Sequence, residues 1–282
     1  KDLDGMWSFV WFQKKKCKFY LARDRYGEKP IYFFQNKNQF IIASEIKAIL
    51  LLTKKKFEIN KKVANNFLNL GLINYNNQTL FSKIFQISPS SFSELDVKNK
   101  INHKIRKYFK YSKKINQNTF DRNSKLINEK LTKSLEKKLS NEVKFAFLVS
   151  GGIDSSIIFS IAQKIINLDK INLYFSPSHN KSNKDNKNIL FLEKYYNIKV
   201  NKIKLPIKKN YIPKILNKLI WINDYPLGNI AAVNQYLIGL NAKKRKIKIL
   251  ISGQGSDELF FGYLKYYLFY LKNLLKRKKL FL

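Results

Sequence analysis

"SGGIDSS" occupies residues 150–156, directly behind the apolar run "VKFAFLV" (143–149) and ahead of "IIFSIAQKII" (157–166). A short continuous apolar run followed by a longer one reads as a buried strand feeding a helix. The loop between them holds two glycines, an acid and three hydroxyls. Gly151 and Gly152 let the backbone approach an anion with no side chain in the way. The helix starting near Ile153 offers free N–H groups at the positive end of its dipole, and Ser150, Ser155 and Ser156 add hydroxyls. Asp154 would repel a bare phosphate, so its position beside the loop implies a divalent cation, Mg2+, shared with phosphate oxygens. The absence of G-x-x-x-x-G-K-[ST] argues against an ordinary kinase-type P-loop. The blander alternative is a strand-to-helix turn in which Gly relaxes the backbone and Asp or Ser caps the helix.

A second loop of the same kind weakens that alternative. "SGQGSDE" (252–258) follows the strand-like "IKILIS" (247–252). Between the two loops strands alternate with helices: a helix to about 166, strand "INLYFS" (171–176), helix 187–196, strand "IKVNKIKL" (198–205), and helices 213–222 and 231–241. That order predicts a parallel sheet covered on both faces. Ligands of such sheets lie at the C-terminal ends of the strands, near the switch in strand order. Both loops fall there, and Asp257 becomes a natural second carboxylate for the metal.

The amino-terminal part has a different period. Residues 5–44 alternate short apolar runs with turns and read as a meander of antiparallel strands. "EIKAILLL" (45–52) reads as a short helix with Ser44 as N-cap. A second helical stretch near 60–70 and the turn-rich, extended "NQTLFSKIFQISPSSFSEL" (77–95) follow. The polar stretch 112–124 reads as a linker, dividing the chain into 1–111 and 125–282. Past it, Leu126, Ile127, Leu131, Leu135 and Leu139 mark an amphipathic helix. In "ELFFGYLKYYLFYLKNLL" (258–275), Phe260, Leu264, Leu268, Leu271 and Leu275 recur at helical spacing, which favours a core-facing helix over a membrane segment.

Composition removes several classes. With 282 residues, 45% hydrophobic and 15% aromatic, the chain is globular rather than disordered. The formal net charge of +36 suggests a polyanionic partner, yet the basic residues are nearly all Lys, scattered along the chain. Clustering, not total, marks a nucleic-acid face, so a compositional bias is the better reading and neither nucleic acid nor membrane is expected as a partner. The lone Cys17 excludes an internal disulfide and points to a reducing, cytoplasmic setting. His103 and His179 sit in polar surroundings and assemble neither a Ser-His-Asp triad nor a zinc site. The basic run Lys276–Lys279 reads as a solvated helix end. Lys1 leads straight into an apolar stretch, and "KRKKLFL" closes directly after a helix, so both ends read as cuts in a longer protein. Such a piece exposes apolar surface and is expected to be poorly soluble alone.

The motifs also carry a resemblance. S-G-G-x-D-S behind a buried strand resembles the pyrophosphate loop (PP-loop) of the ATP-pyrophosphatase superfamily. "SGQGSDELFFGYLKYY" (252–267) narrows it to the asparagine synthetase family. "LARDRYGEKPIYF" (21–33) and "FIIASEIKAIL" (40–50) are similar to the end of that family's class II glutamine amidotransferase domain, and "TLFSKIFQISPSS" (79–91) resembles its interdomain region. The implied fold is the C-terminal part of an α+β N-terminal-nucleophile glutaminase, antiparallel β layers with helices, followed by the N-terminal part of an α/β parallel-sheet PP-loop synthetase domain. The implied chemistry is asparagine synthesis: glutamine supplies ammonia, aspartate is activated by ATP and Mg2+ as β-aspartyl-adenylate with release of pyrophosphate, and ammonia attacks to release AMP. A homodimer is compatible with it. The resemblance assigns Ser150, Gly151, Gly152, Asp154 and Ser155 to pyrophosphate and metal, Leu148, Ser252 and Gly253 to adenosine, Asp257 to metal, and Asp24 to the amino group of glutamine. A solvated ion pair of Asp24 with Arg23 or Arg25 is the bland alternative.

Three departures bound the resemblance. The family's N-terminal cysteine nucleophile is absent, and Cys17, embedded in "KKKCKFY", reads as a strand-edge thiol, so this segment is not expected to hydrolyse glutamine. Gln254 stands where the family has Glu; an amide hydrogen-bonds there but is no general base. The residues that complete the family's metal and substrate pocket are not in this segment. Asp185 fits the family's acidic pair whereas Asn186 does not, and "NDYP" (223–226) has Tyr225 in place of an acid. These changes leave open an amide-forming relative acting on another carboxylate, such as a surface-polysaccharide sugar or a lactam precursor. A tRNA-modifying PP-loop enzyme and an inactive copy are further alternatives.

Overall fold

The computed structural model describes residues 3–37, 39–96, 104–112, 116–139, 143–167, 171–178, 183–206, 211–229 and 231–276. His103, His179 and residues 277–279 of the basic run lie outside them. Packing divides the chain into two units, 1–115 with 213–229 and 116–212 with 230–282.

The first unit contains β1 (Ser8–Gln13), β2 (Lys18–Arg23), β3 (Tyr32–Gln35), β4 (Phe40–Ala43), α1 (Ile46–Thr53), α2 (Lys61–Leu70), β5 (Ile84–Gln86), β6 (Ser91–Asp96) and β7 (Lys104–Lys107). They form one sheet in the order β1-β2-β6-β7 and another in the order β4-β3-β5, every pairing antiparallel. Strand β3 shows why its sequence has no polar face. Side chains of a strand alternate, so Phe33 joins Leu21, Ile31, Ile87 and Leu95 in one core, while Tyr32 and Phe34 join Ile46, Ile49, Ile84 and Tyr225 in another. Each such burial contributes about 1.5–3 kcal/mol.

The cap of α1 corrects the sequence reading. Glu45, not Ser44, holds the N-cap position, and its side chain makes no cap bond. The carboxylate of Asp224 does so instead, accepting from the Ile46 N–H at 2.7 Å and the Lys47 N–H at 3.3 Å. An anion at a helix N-terminus is favoured wherever it comes from in the chain. A rule that looks one residue upstream misses it.

The second unit contains α3 (Phe120–Lys138), β8 (Phe145–Leu148), α4 (Ile153–Ile165), β9 (Asn172–Phe175), α5 (Lys184–Tyr196) and β10 (Val200–Lys202). After α6 (Tyr211–Asn223), whose residues from 213 group with the first unit, come α7 (Ala231–Lys244), β11 (Ile249–Ile251), α8 (Ser256–Phe260) and α9 (Leu264–Lys276). Its sheet runs β10-β9-β8-β11, all parallel. Ala146 and Phe147, neighbours on β8, are 0% and 1% exposed. Phe147 packs with Phe159 of α4 and Ile189 of α5, and Ala146 with Ile238 and Ala242 of α7. Burial on both faces is the reason the strand reads as an unbroken apolar run. The strand order reverses between β8 and β11.

One expected helix is not a core element. The stretch 258–275 breaks at Phe261, which takes a left-handed φ of 60° at the end of α8. No residue of α9 is buried, and Leu264 and Leu268 are 78% and 61% exposed. Helical periodicity identifies an apolar face but not what covers it. Among the described residues, no helix is long and apolar enough to cross a membrane.

Candidate functional site

The reversal of strand order brings the loops behind β8 and β11 together. A crevice of about 380 Å3 opens there, lined by Leu148, Ser150, Asp154 and Ser155 from the first loop and Ser252, Gly253, Gln254, Gly255 and Asp257 from the second. The approach is close. A Cβ on Gly253 would lie 2.9 Å from the Ser155 nitrogen and 2.9 Å from Asp154 Cβ, so no other residue fits without displacing α4.

Gly151 meets two constraints at once. Its φ is +79°, and a Cβ there would stand 2.7 Å from the Asp185 carbonyl oxygen. The Gly151 carbonyl in turn accepts from Asn188 Nδ2 at 2.7 Å, fastening the loop to α5. Gly152 takes the N-cap position of α4 with no side-chain cap, which leaves the first-turn N–H groups for a ligand.

The hydroxyls play a more internal part than their composition suggests. Ser155 Oγ accepts from the Ser150 N–H at 3.0 Å and lies 3.0 Å from Ser150 Oγ, which accepts from the Gly152 N–H at 3.2 Å. Ser155 and Ser156 both donate to the Gly152 carbonyl, at 3.2 and 2.8 Å. The serines thus hold the turn in shape, and the donors left over are the first-turn N–H groups of α4.

Charge distinguishes the crevice from the rest of the chain. Its lining includes Asp154, Asp185, Asp257 and Glu258, with no Lys or Arg among the lining residues, in a chain of net charge +36. Four carboxylates would repel a polyphosphate unless a cation lay between them. Among the described residues no three His, Cys, Asp or Glu side chains cluster closely enough to hold a metal by themselves. A hard oxygen-ligand ion that keeps waters and phosphate oxygens in its shell fits such a donor set.

The sequence profile of the asparagine synthase family matches residues 126–280, more than half of the chain. The chain belongs to the asparagine synthase family. A glutamine amidotransferase domain profile matches residues 1–109. Among relatives of this family, a Methanocaldococcus jannaschii protein provisionally named a glutamine-hydrolysing asparagine synthetase is 28% identical over 94% of this chain and 50% of its own length. Asparagine synthetase [glutamine-hydrolyzing] 1 of Bacillus subtilis is 29% identical over 93% of this chain and 40% of its own. Asparagine synthetase B of Escherichia coli is 24% identical over 94% and 44%. The chain thus spans about half the length of the curated relatives it matches.

The remaining residues singled out from the sequence fall elsewhere. Asp24 lies in the first unit, 1% exposed, and its carboxylate accepts from the backbone N–H groups of Tyr26, Glu28 and Lys29, each at 3.0 Å. Burial works to raise its pKa, but those amide bonds outweigh it and hold the carboxyl below the usual range. The bland alternative, a solvated ion pair, does not occur: Arg23 donates to Lys29 O, Gln86 Oε1, Ile87 O and Gly27 O. Tyr225 is part of the first unit's core, where burial pushes its hydroxyl pKa up. Asn186 exchanges two bonds with the Ser178 backbone, at 3.2 and 3.1 Å. Cys17 is partly exposed and its thiol sits 3.6 Å from the Lys14 carbonyl.

Sequence reasoning missed the α7 wall of the crevice, formed by Ala231, Asn234, Gln235 and Ile238, and the floor residue Tyr174. Tyr174 is fully buried, yet its hydroxyl and Asn234 Oδ1 have no partner among the described residues. An amide and a phenol among apolar residues facing a parallel sheet are the signals that mark this wall, because a buried polar group without a partner is costly.

Proposed function

We propose that this chain is part of an ATP-dependent, amide-forming synthetase that activates a carboxylate by adenylation and transfers ammonia to it, with aspartate as acceptor and glutamine as ammonia source. Residues 125–282 are then the N-terminal part of the synthetase domain, 1–111 the C-terminal part of the amidotransferase domain, and 112–124 the link. The observation that carries this reading is the packing of Gly253 against Ser155 and Asp154, so close that a Cβ there would stand 2.9 Å from each, which joins the two glycine loops into one crevice at the strand-order switch. Asparagine synthase family membership supports the reaction class.

In this reading the free N–H groups at the start of α4 and the Gly151 N–H take the pyrophosphate part of ATP, on a loop whose shape Ser150, Gly152 and Ser155 hold. Leu148, Ser252 and Gly253 lie along the adenosine. Asp154 and Asp257 would hold Mg2+, which offsets phosphate charge when bound. Gln254 orients the acyl-adenylate by hydrogen bonding and, being an amide, leaves the incoming ammonia to lose its proton to another group or to water. Asp24 organises the loop Tyr26–Lys29 and presents its remaining lone pairs to the glutamine amino group.

The test is carboxylate-dependent pyrophosphate release by the full-length protein, with ammonia or glutamine as nitrogen donor. Stimulation by aspartate and formation of asparagine are expected. Stimulation by a sugar carboxylate or an amino acid able to close a lactam, with none by aspartate, would replace aspartate as the acceptor and keep the reaction class. The substitution of Gln254 for an acid is the observation that favours this second reading.

A further inference from the structure

Around the start of α5 stand Asn183, Asn186 and Asn188, and the side chain of each is bonded to backbone. Asn183 Oδ1 accepts from the Asp185 N–H at 2.8 Å and caps the helix. Asn186 exchanges its two bonds with the backbone of Ser178, behind β9. Asn188 reaches the loop behind β8, where its Nδ2 donates to the Gly151 carbonyl at 2.7 Å. The helix that carries them is fixed, because Ile189 and Leu192 are buried in the core that also holds Phe147 of β8 and Phe159 of α4. One helix start thus gathers the loops that follow two paired parallel strands.

The bond from Asn188 matters because of the peptide it holds. A peptide unit is planar and rigid, so its C=O and N–H turn together. The unit joining Gly151 to Gly152 lies between two glycines, where no Cβ opposes rotation about the flanking bonds. Both of its ends are tied: the oxygen accepts from Asn188, and the Gly152 N–H donates to Ser150 Oγ at 3.2 Å. Turning this unit over would carry the carbonyl oxygen to the side where Ser150 stands. Ser150 lines the crevice, whereas Asn188 is not among its lining residues. A carbonyl dipole presented there would repel phosphate oxygens, the opposite of what a glycine loop ahead of a helix start offers an anion.

We propose that Asn188 is a positioning residue of the phosphate loop: its carboxamide keeps the Gly151 carbonyl turned to α5, and so keeps the loop in the shape that receives the pyrophosphate part of the nucleotide. It touches no reacting atom. The nucleotide readout rests on the reading of the crevice given above; the exchange readout does not.

The experiment uses the full-length protein, with Asn188→Leu and Asn188→Asp, neither of which can donate to the carbonyl at neutral pH. Asn201→Leu is the control, since Asn201 Nδ2 makes a bond of the same kind, to the Leu173 carbonyl at 2.9 Å, outside the crevice lining. Three quantities are followed beside Tm: the Kd for ATP with Mg2+, the Kd for AMP, and backbone hydrogen exchange over 150–152 in the nucleotide-free protein. Both Asn188 variants are expected to weaken ATP binding about three- to tenfold, the worth of one hydrogen bond, to leave AMP binding within about twofold, and to accelerate exchange over 150–152. Asn201→Leu should change none of the three. Unchanged ATP affinity in both Asn188 variants, or equal losses for ATP and AMP, would overturn the proposal. If the unmutated protein binds no ATP, the reading of the crevice fails, and exchange over 150–152 alone decides the role of Asn188: faster in both variants supports it, unchanged refutes it.

Discussion

The two units treat their acidic residues in opposite ways. In the first, Asp24 is enclosed and its carboxylate is occupied by three backbone amides; it organises a loop before it can serve any ligand. In the second, Asp154 and Asp257 sit in an open crevice, and their carboxylates accept no hydrogen bond among the described residues. The contrast follows from sheet type. An antiparallel sandwich joins strands by tight turns, whose backbone donors converge on a nearby acid. A parallel sheet joins them through helices, whose N-termini converge on a space. An acid that completes a turn contributes to stability, and an acid that faces a space is left available to a ligand.

The sharpest way to break that contrast is to fill the space. Gly253→Ala places a methyl where only 2.9 Å separates it from α4. Overpacking of about 1–3 kcal/mol predicts ATP affinity reduced tenfold to a hundredfold by titration calorimetry, with Tm less affected. Unchanged affinity would mean that the two loops do not act together.

Next in size is the acid of the first unit. Asp24→Asn keeps the shape but removes the charge from three amide bonds, and a loss of about 1–3 kcal/mol is expected, read as a lowered denaturation midpoint with ATP affinity preserved. The pH dependence sharpens it. With its folded pKa below that of the unfolded chain, ionised Asp24 stabilises the fold fully above the ordinary Asp pKa of about 4. That contribution is lost as pH falls through the depressed value. The stability difference between wild type and Asp24→Asn should therefore shrink in acid; a difference independent of pH down to 2 would contradict the role of the charge.

Gln254→Glu probes the crevice from the other side. If deprotonation of ammonia limits amide formation, restoring an acid raises ammonia-dependent kcat by about tenfold or more, general bases contributing roughly 100-fold and upward, while KM for ATP stays put. A lower kcat would show that the amide is tuned to a different acceptor.

The smallest effect belongs to the surface. Lys18 pairs with Glu94 across β2 and β6, and Glu94→Gln should leave Tm within measurement error, because exposed pairs are screened and entropically costly. A clear fall in Tm would mean that this sheet depends on cross-strand charge.

Much of this was legible beforehand because it depends on local sequence. "VKFAFLV" announces a strand buried on both faces, and the paired glycine loops announce a ligand crevice, since few residues tolerate a φ of +79° or a neighbour at 2.9 Å. What misled was any feature whose partner is distant. Ser44 looked like the cap of α1, while the cap comes from Asp224. Tyr225 read as a change near a substrate, while it fills a hydrophobic core. The periodic run 258–275 promised one core-facing helix and gave two pieces with an exposed face, because a period specifies a stripe and not its cover.

The sequence by itself determined the change from antiparallel to parallel architecture, the two glycine loops and family membership, all of which follow from period, turn chemistry and motif spacing. Only the tertiary structure decided that the loop serines bond to one another, that Asn234 and Tyr174 wall the crevice, and that residues 213–229 belong with the first unit. Those outcomes depend on which groups meet across long stretches of chain, where the strength of a hydrogen bond or the burial of a ring is set by the partner and not by the neighbour in sequence.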